Sequence, residues 1–195
     1  MDLSYGPFAR TEGGAYVRSV HERRPSHKDT AMIFGITKFT LIHVVLSLIG
    51  ILAGLVVAGG LAGGKRLGRW ALVFLVTTIL TSVTGFGFPF VTLLPSHIVG
   101  IVSLVVLAAV VVAQYVKHFA GAWRRIYAAG VVLATYLNTF VLVVQLFRRL
   151  PALIVSAPTQ SEPPFAITQL LVLALFVWLG VVADRAFRAA PVGTA

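Results

Sequence analysis

The side chains able to do chemistry in this 195-residue chain are few, and most stand inside long apolar runs: His43, Thr81, Thr84, His97, Asn138, Gln145 and Gln169. Polar groups at membrane depth are costly, so they are the strongest functional pointers the sequence offers. Imidazole is a common axial haem ligand. His43 and His97, on different predicted helices, are therefore candidate haem b ligands. They are equally candidate quinone contacts, together with Gln145 and the rings of Phe86 and Phe88. Thr81, Thr84, Asn138, Glu162 and Gln169 complete a candidate polar pocket.

Spacing says which of these groups can meet. His43, Ser47, Gly50 and Gly54 recur at helical intervals and share one face. Gly50 and Gly54 form a small-xxx-small pair, which lets another helix approach closely. Asn138 and Gln145 are seven residues apart and fall on one face with Ala134 and Tyr127. His118 follows His97 by 21 residues, or about 30 Å of helix at about 1.5 Å per residue, too far to share a site. The run 85–90, Gly-Phe-Gly-Phe-Pro-Phe, reads as a broken helix end ringed by aromatics.

Other chemistries are excluded. Cysteine is absent, and with it go disulfides, thiolate metal sites and cysteine nucleophiles. Methionine occurs only at positions 1 and 32, which argues against a thioether copper site. Glu162 is the only acidic residue between Asp29 and Asp184, so paired-carboxylate catalysis in the core is ruled out. The run 59–66 is close to a phosphate-binding loop, but it lacks the final Ser or Thr and follows an apolar helix instead of a strand. No catalytic residue and no metal site is expected.

The elements that position these groups follow from composition. Hydrophobic residues make up 58% of the chain and charged residues 11%, and mean hydropathy is +0.93. A soluble domain carries roughly 25% charged residues, so lipid must be the solvent for most of this chain. Five apolar segments, at about 36–60, 70–90, 95–116, 123–147 and 165–183, each reach the roughly twenty residues needed to cross a bilayer. The expected fold is all-α, a bundle of five transmembrane helices spanning 31–189. A polar basic tail at 1–30 precedes it and a short tail at 190–195 follows. The first apolar run, preceded by about thirty polar residues, exceeds a signal-peptide core of roughly 7–15 residues and reads as a spanning helix. The net charge of +10 sits at the ends of apolar runs. It fits lipid headgroups, with no nucleic-acid partner.

With five crossings, the start of the first helix, the end of the second, the start of the third, the end of the fourth and the start of the fifth fall on one side. That side collects His43, Thr81, Thr84, His97, Gln145, Glu162 and Gln169, and the opposite side is mostly basic loops. A shared pocket near one surface is the expectation. The segments 84–90 (TGFGFPF), 95–100 (PSHIVG) and 157–165 (APTQSEPPF) resemble those of a family of small bacterial integral membrane proteins with no assigned activity. The resemblance covers about 41–187, implies the bacterial inner membrane and transfers no activity. The leading expectation is an accessory, assembly or scaffold subunit of a larger membrane complex, partnered by lipid and by another protein or a second copy. The alternatives are a haem b or quinone protein and a small-solute transporter or channel.

Orientation follows from the loops between helices. Lys65, Arg66, Arg69, Lys117, Arg124 and Arg125 lie on one side, against Arg148 and Arg149 on the other. The positive-inside rule then puts the N-terminus outside and the C-terminus in the cytoplasm. Reporter fusions are expected to place 65–69 and 117–125 in the cytoplasm and 151–164 outside; a cytoplasmic Glu162 would reverse the assignment.

Overall fold

The computed structural model describes residues 32–33, 36–87 and 95–190. Two compact units divide at Lys38. In the first, the described residues form two-residue strands, β1 (Met32–Ile33) and β2 (Ile36–Thr37), paired antiparallel. The expected tail at 1–30 and the segment 191–195 lie outside the described residues.

The second unit is helical. Its elements are α1 (Lys38–Ala62), α2 (Gly68–Gly85), α3 (Pro95–Val111), α4 (Trp123–Arg149), a short α5 (Pro151–Ser156) and α6 (Pro163–Ala189). A π-helical turn, Val112–Val116, continues α3. Five helices among the described residues are long and apolar enough to cross a membrane. At 25 residues α1 is about 37 Å long, more than the roughly 30 Å of a hydrocarbon core. In hydrocarbon a spanning segment must satisfy its own backbone, which is why these apolar runs are helical.

The ends are set by local chemistry. α1 closes in a Schellman motif: Gly64 takes φ +70°, Lys65 N–H donates to Gly60 O at 2.8 Å and Gly64 N–H to Leu61 O at 2.9 Å. The run resembling a phosphate loop is thus a helix terminus. α2 stops at Gly85, short of the expected 90, and 88–94 lie outside the described residues. Leu150 is extended before Pro151 (ψ 120°), which ends α4. Pro163 and Pro164 open α6 in its first turn, where a missing N–H costs no hydrogen bond.

α4 is the hub. It packs along α6 and against α3, and α3 packs against α2. α1 fits between α2 and α4 through its glycines. A Cβ on Gly50 would sit 2.9 Å from Thr78 Oγ1 and 3.3 Å from Asn138 Nδ2. A Cβ on Gly54 would sit 2.8 Å from Thr135 Cγ2 and 3.0 Å from the Phe74 ring.

The main apolar core joins Ala53, Val57 and Leu61 of α1, Phe74 and Leu75 of α2, Leu107 and Val110 of α3, Tyr127 and Val131 of α4, and Phe176, Ala183 and Phe187 of α6. A smaller cluster of Val143, Phe147 and Ala157 ties α4 to the segment after α5. Outward-facing Leu52, Val105, Leu171 and Trp178 are exposed, an apolar exterior suited to lipid or to a protein partner and not to water.

Gly54→Leu is expected to lower folded yield and melting temperature in detergent, since overpacking typically costs about 1–3 kcal/mol and here the obstructing atoms belong to two helices. Gly59→Leu, where a Cβ meets nothing within 4 Å, should leave both nearly unchanged. Equal behaviour of the two variants would place Gly54 at the lipid surface.

Candidate functional site

The polar side chains gather in the half of the bundle away from the apolar core. His43, one and a half turns into α1, bonds through Nδ1 to Thr84 Oγ1 at 2.8 Å. Thr84 O–H also lies 2.7 Å from Leu80 O within α2. His43 Cε1 is 3.8 Å from where a Cβ on Gly85 would stand. His97, in the first turn of α3, is 3% exposed, and its ring stacks on Phe86 at 5.9 Å and 22°. Gly100, one turn further on, lets the Phe86 ring approach to 3.3 Å of its Cβ position. The two histidines therefore meet the same three-residue stretch, Thr84 to Phe86, one from α1 and one from α3.

Deeper in the bundle the contacts are between polar side chains of different helices. Ser47 O–H donates to Asn138 Oδ1 at 3.0 Å, and Asn138 Nδ2 reaches Ser47 O at 3.5 Å. Ser82 O–H donates to Ser103 Oγ at 3.3 Å, joining α2 to α3. Thr77, Thr81 and Thr135 turn their hydroxyls onto carbonyls one turn back, Val73, Thr77 and Val131, at 2.7–2.8 Å. Such back-bonding satisfies a hydroxyl without a partner helix. Thr78 does neither: it is 1% exposed, and its Oγ1 is buried with no hydrogen-bond partner, facing the Gly50 backbone.

The remaining expected members scatter. Gln145 is exposed, so the structure removes it from the pocket. Seven residues is slightly under two turns, so the face drifts by about 20°. Past Asn138 the buried side of α4 becomes Val143 and Phe147, which turn toward α5 and α6. Gln169 is buried but serves the α4–α6 seam, where Nε2 donates to Phe140 O at 3.3 Å. Phe88 lies outside the described residues.

Glu162 closes its own turn. It accepts from Thr159 N–H at 3.1 Å, Thr159 O–H at 2.9 Å and Ser161 N–H at 3.1 Å, with Gln160 left-handed at φ 60°. Desolvation is the largest single influence and raises its pKa, but the hydrogen bonds from Thr159 and Ser161 together outweigh it and hold the carboxyl below the usual carboxylate range. The turn is firmest above the ordinary carboxylate pKa and loosens as pH falls through the depressed value. It borders a shallow groove of about 350 Å³ lined by Phe147, Arg148, Ile154, Pro158, Thr159 and Gln160.

No cluster of three or more metal-ligating side chains occurs among the described residues. The basic end holds a second feature, an aromatic cluster of Phe119, Tyr127 and Phe187 carrying two arginines. Sequence reading missed it, because its members come from three separate segments and only the fold joins them.

Fold and contacts together define the class: a multi-pass α-helical membrane protein, with five candidate spans. No family model, no curated protein and no solved structure matches the chain.

The Ser47–Asn138 pair is the contact most open to measurement. In a double-mutant cycle, Ser47→Ala and Asn138→Ala are expected to couple by about 0.6 kcal/mol, the usual scale for hydrogen bonds between membrane helices, read from unfolding in mixed micelles. Strict additivity would mean that the pair does not join α1 to α4.

Proposed function

We propose that this protein is a non-catalytic accessory, assembly or scaffold subunit of a larger bacterial membrane complex. The observation that carries the reading is how the membrane-depth polar groups are engaged. Ser47 with Asn138, His43 with Thr84, Ser82 with Ser103, and Gln169 with the Phe140 carbonyl each join one helix to another. Groups engaged in this way hold a bundle in one arrangement and leave its apolar exterior to lipid and to neighbouring proteins. A rigid bundle with short connections suits a subunit that templates the position of others.

A second reading is favoured by one observation, the meeting of His43 and His97 at the same end of α2. It would make the Thr84–Phe86 turn a contact for haem b or a quinone.

One preparation separates the two. Protein extracted from native membranes with a mild detergent is expected to migrate on native electrophoresis in an assembly well above its own 20.9 kDa. Its reduced-minus-oxidised spectrum should be featureless, and organic extraction should yield no stoichiometric quinone. A Soret band abolished by His43→Ala or His97→Ala would replace the scaffold reading with the haem reading. A monomeric, colourless and quinone-free protein would overturn both.

A further inference from the structure

The basic end of the bundle is organised around rings. Phe119, in the loop after the π-helical turn, packs edge-on against Tyr127 at 4.9 Å and Phe187 at 5.8 Å. Two guanidinium groups rest on this cluster. Arg66, from the loop after α1, lies 5.0 Å over Phe119, and Arg124, in the first turn of α4, lies 4.7 Å over Phe187. The α1–α2 loop is brought here because Gly64 lies against the end of α6, with its Cβ position 3.5 Å from Ala190 Cβ.

Arg124 is partly committed: Nη2 donates to the Phe187 carbonyl at 2.6 Å and the Ala190 carbonyl at 3.0 Å, closing α6. Its Nε is buried with no hydrogen-bond partner. The described residues at this end include one carboxylate, Asp184, and it is engaged by Arg125 at 3.7 Å and Arg188 at 2.9 Å. Arg66 and Arg124 are thus held in place by aromatic faces without a carboxylate to balance them, and Lys65, Arg69, Lys117 and Arg185 add further positive charge.

The backbone accepts strain to build this arrangement. His118 and Phe119 are consecutive left-handed residues, φ 46° and 61°, a conformation that costs roughly 1–2 kcal/mol for each residue carrying a side chain. That turn folds Phe119 back beneath Arg66. At the same end of the bundle, Trp70 in the first turn of α2 and Tyr115 and Val116 in the π-helical turn present exposed apolar surface.

We infer that Arg66 and Arg124, seated on Phe119 and Phe187, form a headgroup site for an anionic phospholipid of the adjacent leaflet. A guanidinium lying on a ring spends its face there and keeps its uncommitted N–H groups for a phosphate diester. Arg66 is the main donor, and Arg124, with Nη2 on two carbonyls and Nε buried, contributes through Nη1 and its charge. Basic clusters between helices at membrane-surface level recruit anionic headgroups by this means. The exposed Trp70, Tyr115 and Val116 select a lipid over soluble phosphate, because they offer the acyl chains an apolar surface beside the charge. The site stands apart from the histidine end and does not depend on the scaffold reading.

The test uses the full chain purified in detergent, titrated separately with phosphatidylglycerol, phosphatidylcholine and inorganic phosphate, with retained lipid counted by native mass spectrometry. Phosphatidylglycerol is expected to be retained over phosphatidylcholine and not displaced by phosphate. Arg66→Gln should weaken retention about fivefold, the scale of one basic residue at a charged surface. Arg69→Gln, which removes a charge three residues away in the first turn of α2, should weaken it far less. Equal retention of the two lipids, equal losses in the two variants, or displacement by phosphate would each overturn the proposal. If Arg66→Gln does not fold, a photoactivatable phosphatidylglycerol on the wild-type chain decides. Label concentrated in 61–70 and 115–125 supports the site, and label spread evenly over all helices rejects it.

Discussion

The bundle depends on α1 lying close enough to α4 for Ser47 to reach Asn138. An amide at membrane depth has no water to turn to, and an unsatisfied polar group there costs several kcal/mol. The Ser47–Asn138 pair meets that demand, and Gly50 and Gly54 make it possible by removing the side chains that would hold the backbones apart. α2 benefits from the same approach, since Thr77, Thr78 and Phe74 line the other side of the two glycines. One close packing therefore fixes three helices at once.

The consequence is a bundle whose two halves are built differently. Toward the basic end the interior is apolar and aromatic, with Phe74, Leu107, Tyr127, Val131 and Phe187 interlocked. Toward the histidine end the interior holds hydroxyls, an amide and imidazoles, and three pairs of them, His43–Thr84, Ser47–Asn138 and Ser82–Ser103, are joined across helices. Dispersion in the first half is indifferent to small rotations, whereas hydrogen bonds in the second are directional. The polar half specifies register, and the apolar half supplies contact area.

Charge follows the same division. At the basic end, cations outnumber the one described carboxylate and rest on rings, which attract them through the aromatic quadrupole. At the other end Arg148 and Arg149 close α4, where they suit the negative pole of the helix dipole. Glu162 stays within its own turn. Both ends are thereby matched to a headgroup layer, while the sides are matched to hydrocarbon.

From sequence alone the all-α class, the five spans and the small-residue face of α1 were legible, because each rests on composition or on a period that lipid imposes on a single chain. His43 and His97 were also legible as groups of one membrane half, since counting crossings needs no coordinates. What sequence could not decide was which neighbour each face meets. Gln145 shares a helical face with Asn138 by spacing, yet Asn138 is buried and Gln145 exposed, because α4 changes neighbours between them. Gln169 turns to the Phe140 carbonyl and Glu162 to its own turn for the same reason: the nearest partner is a matter of packing. The ring cluster of Phe119, Tyr127 and Phe187 is the clearest case. Those residues are separated in the chain by up to 68 positions, and only a left-handed turn and the α4–α6 contact bring them together. Composition and periodicity act along one segment at a time, whereas a site is made by several segments, and their mutual placement exists only in the folded bundle.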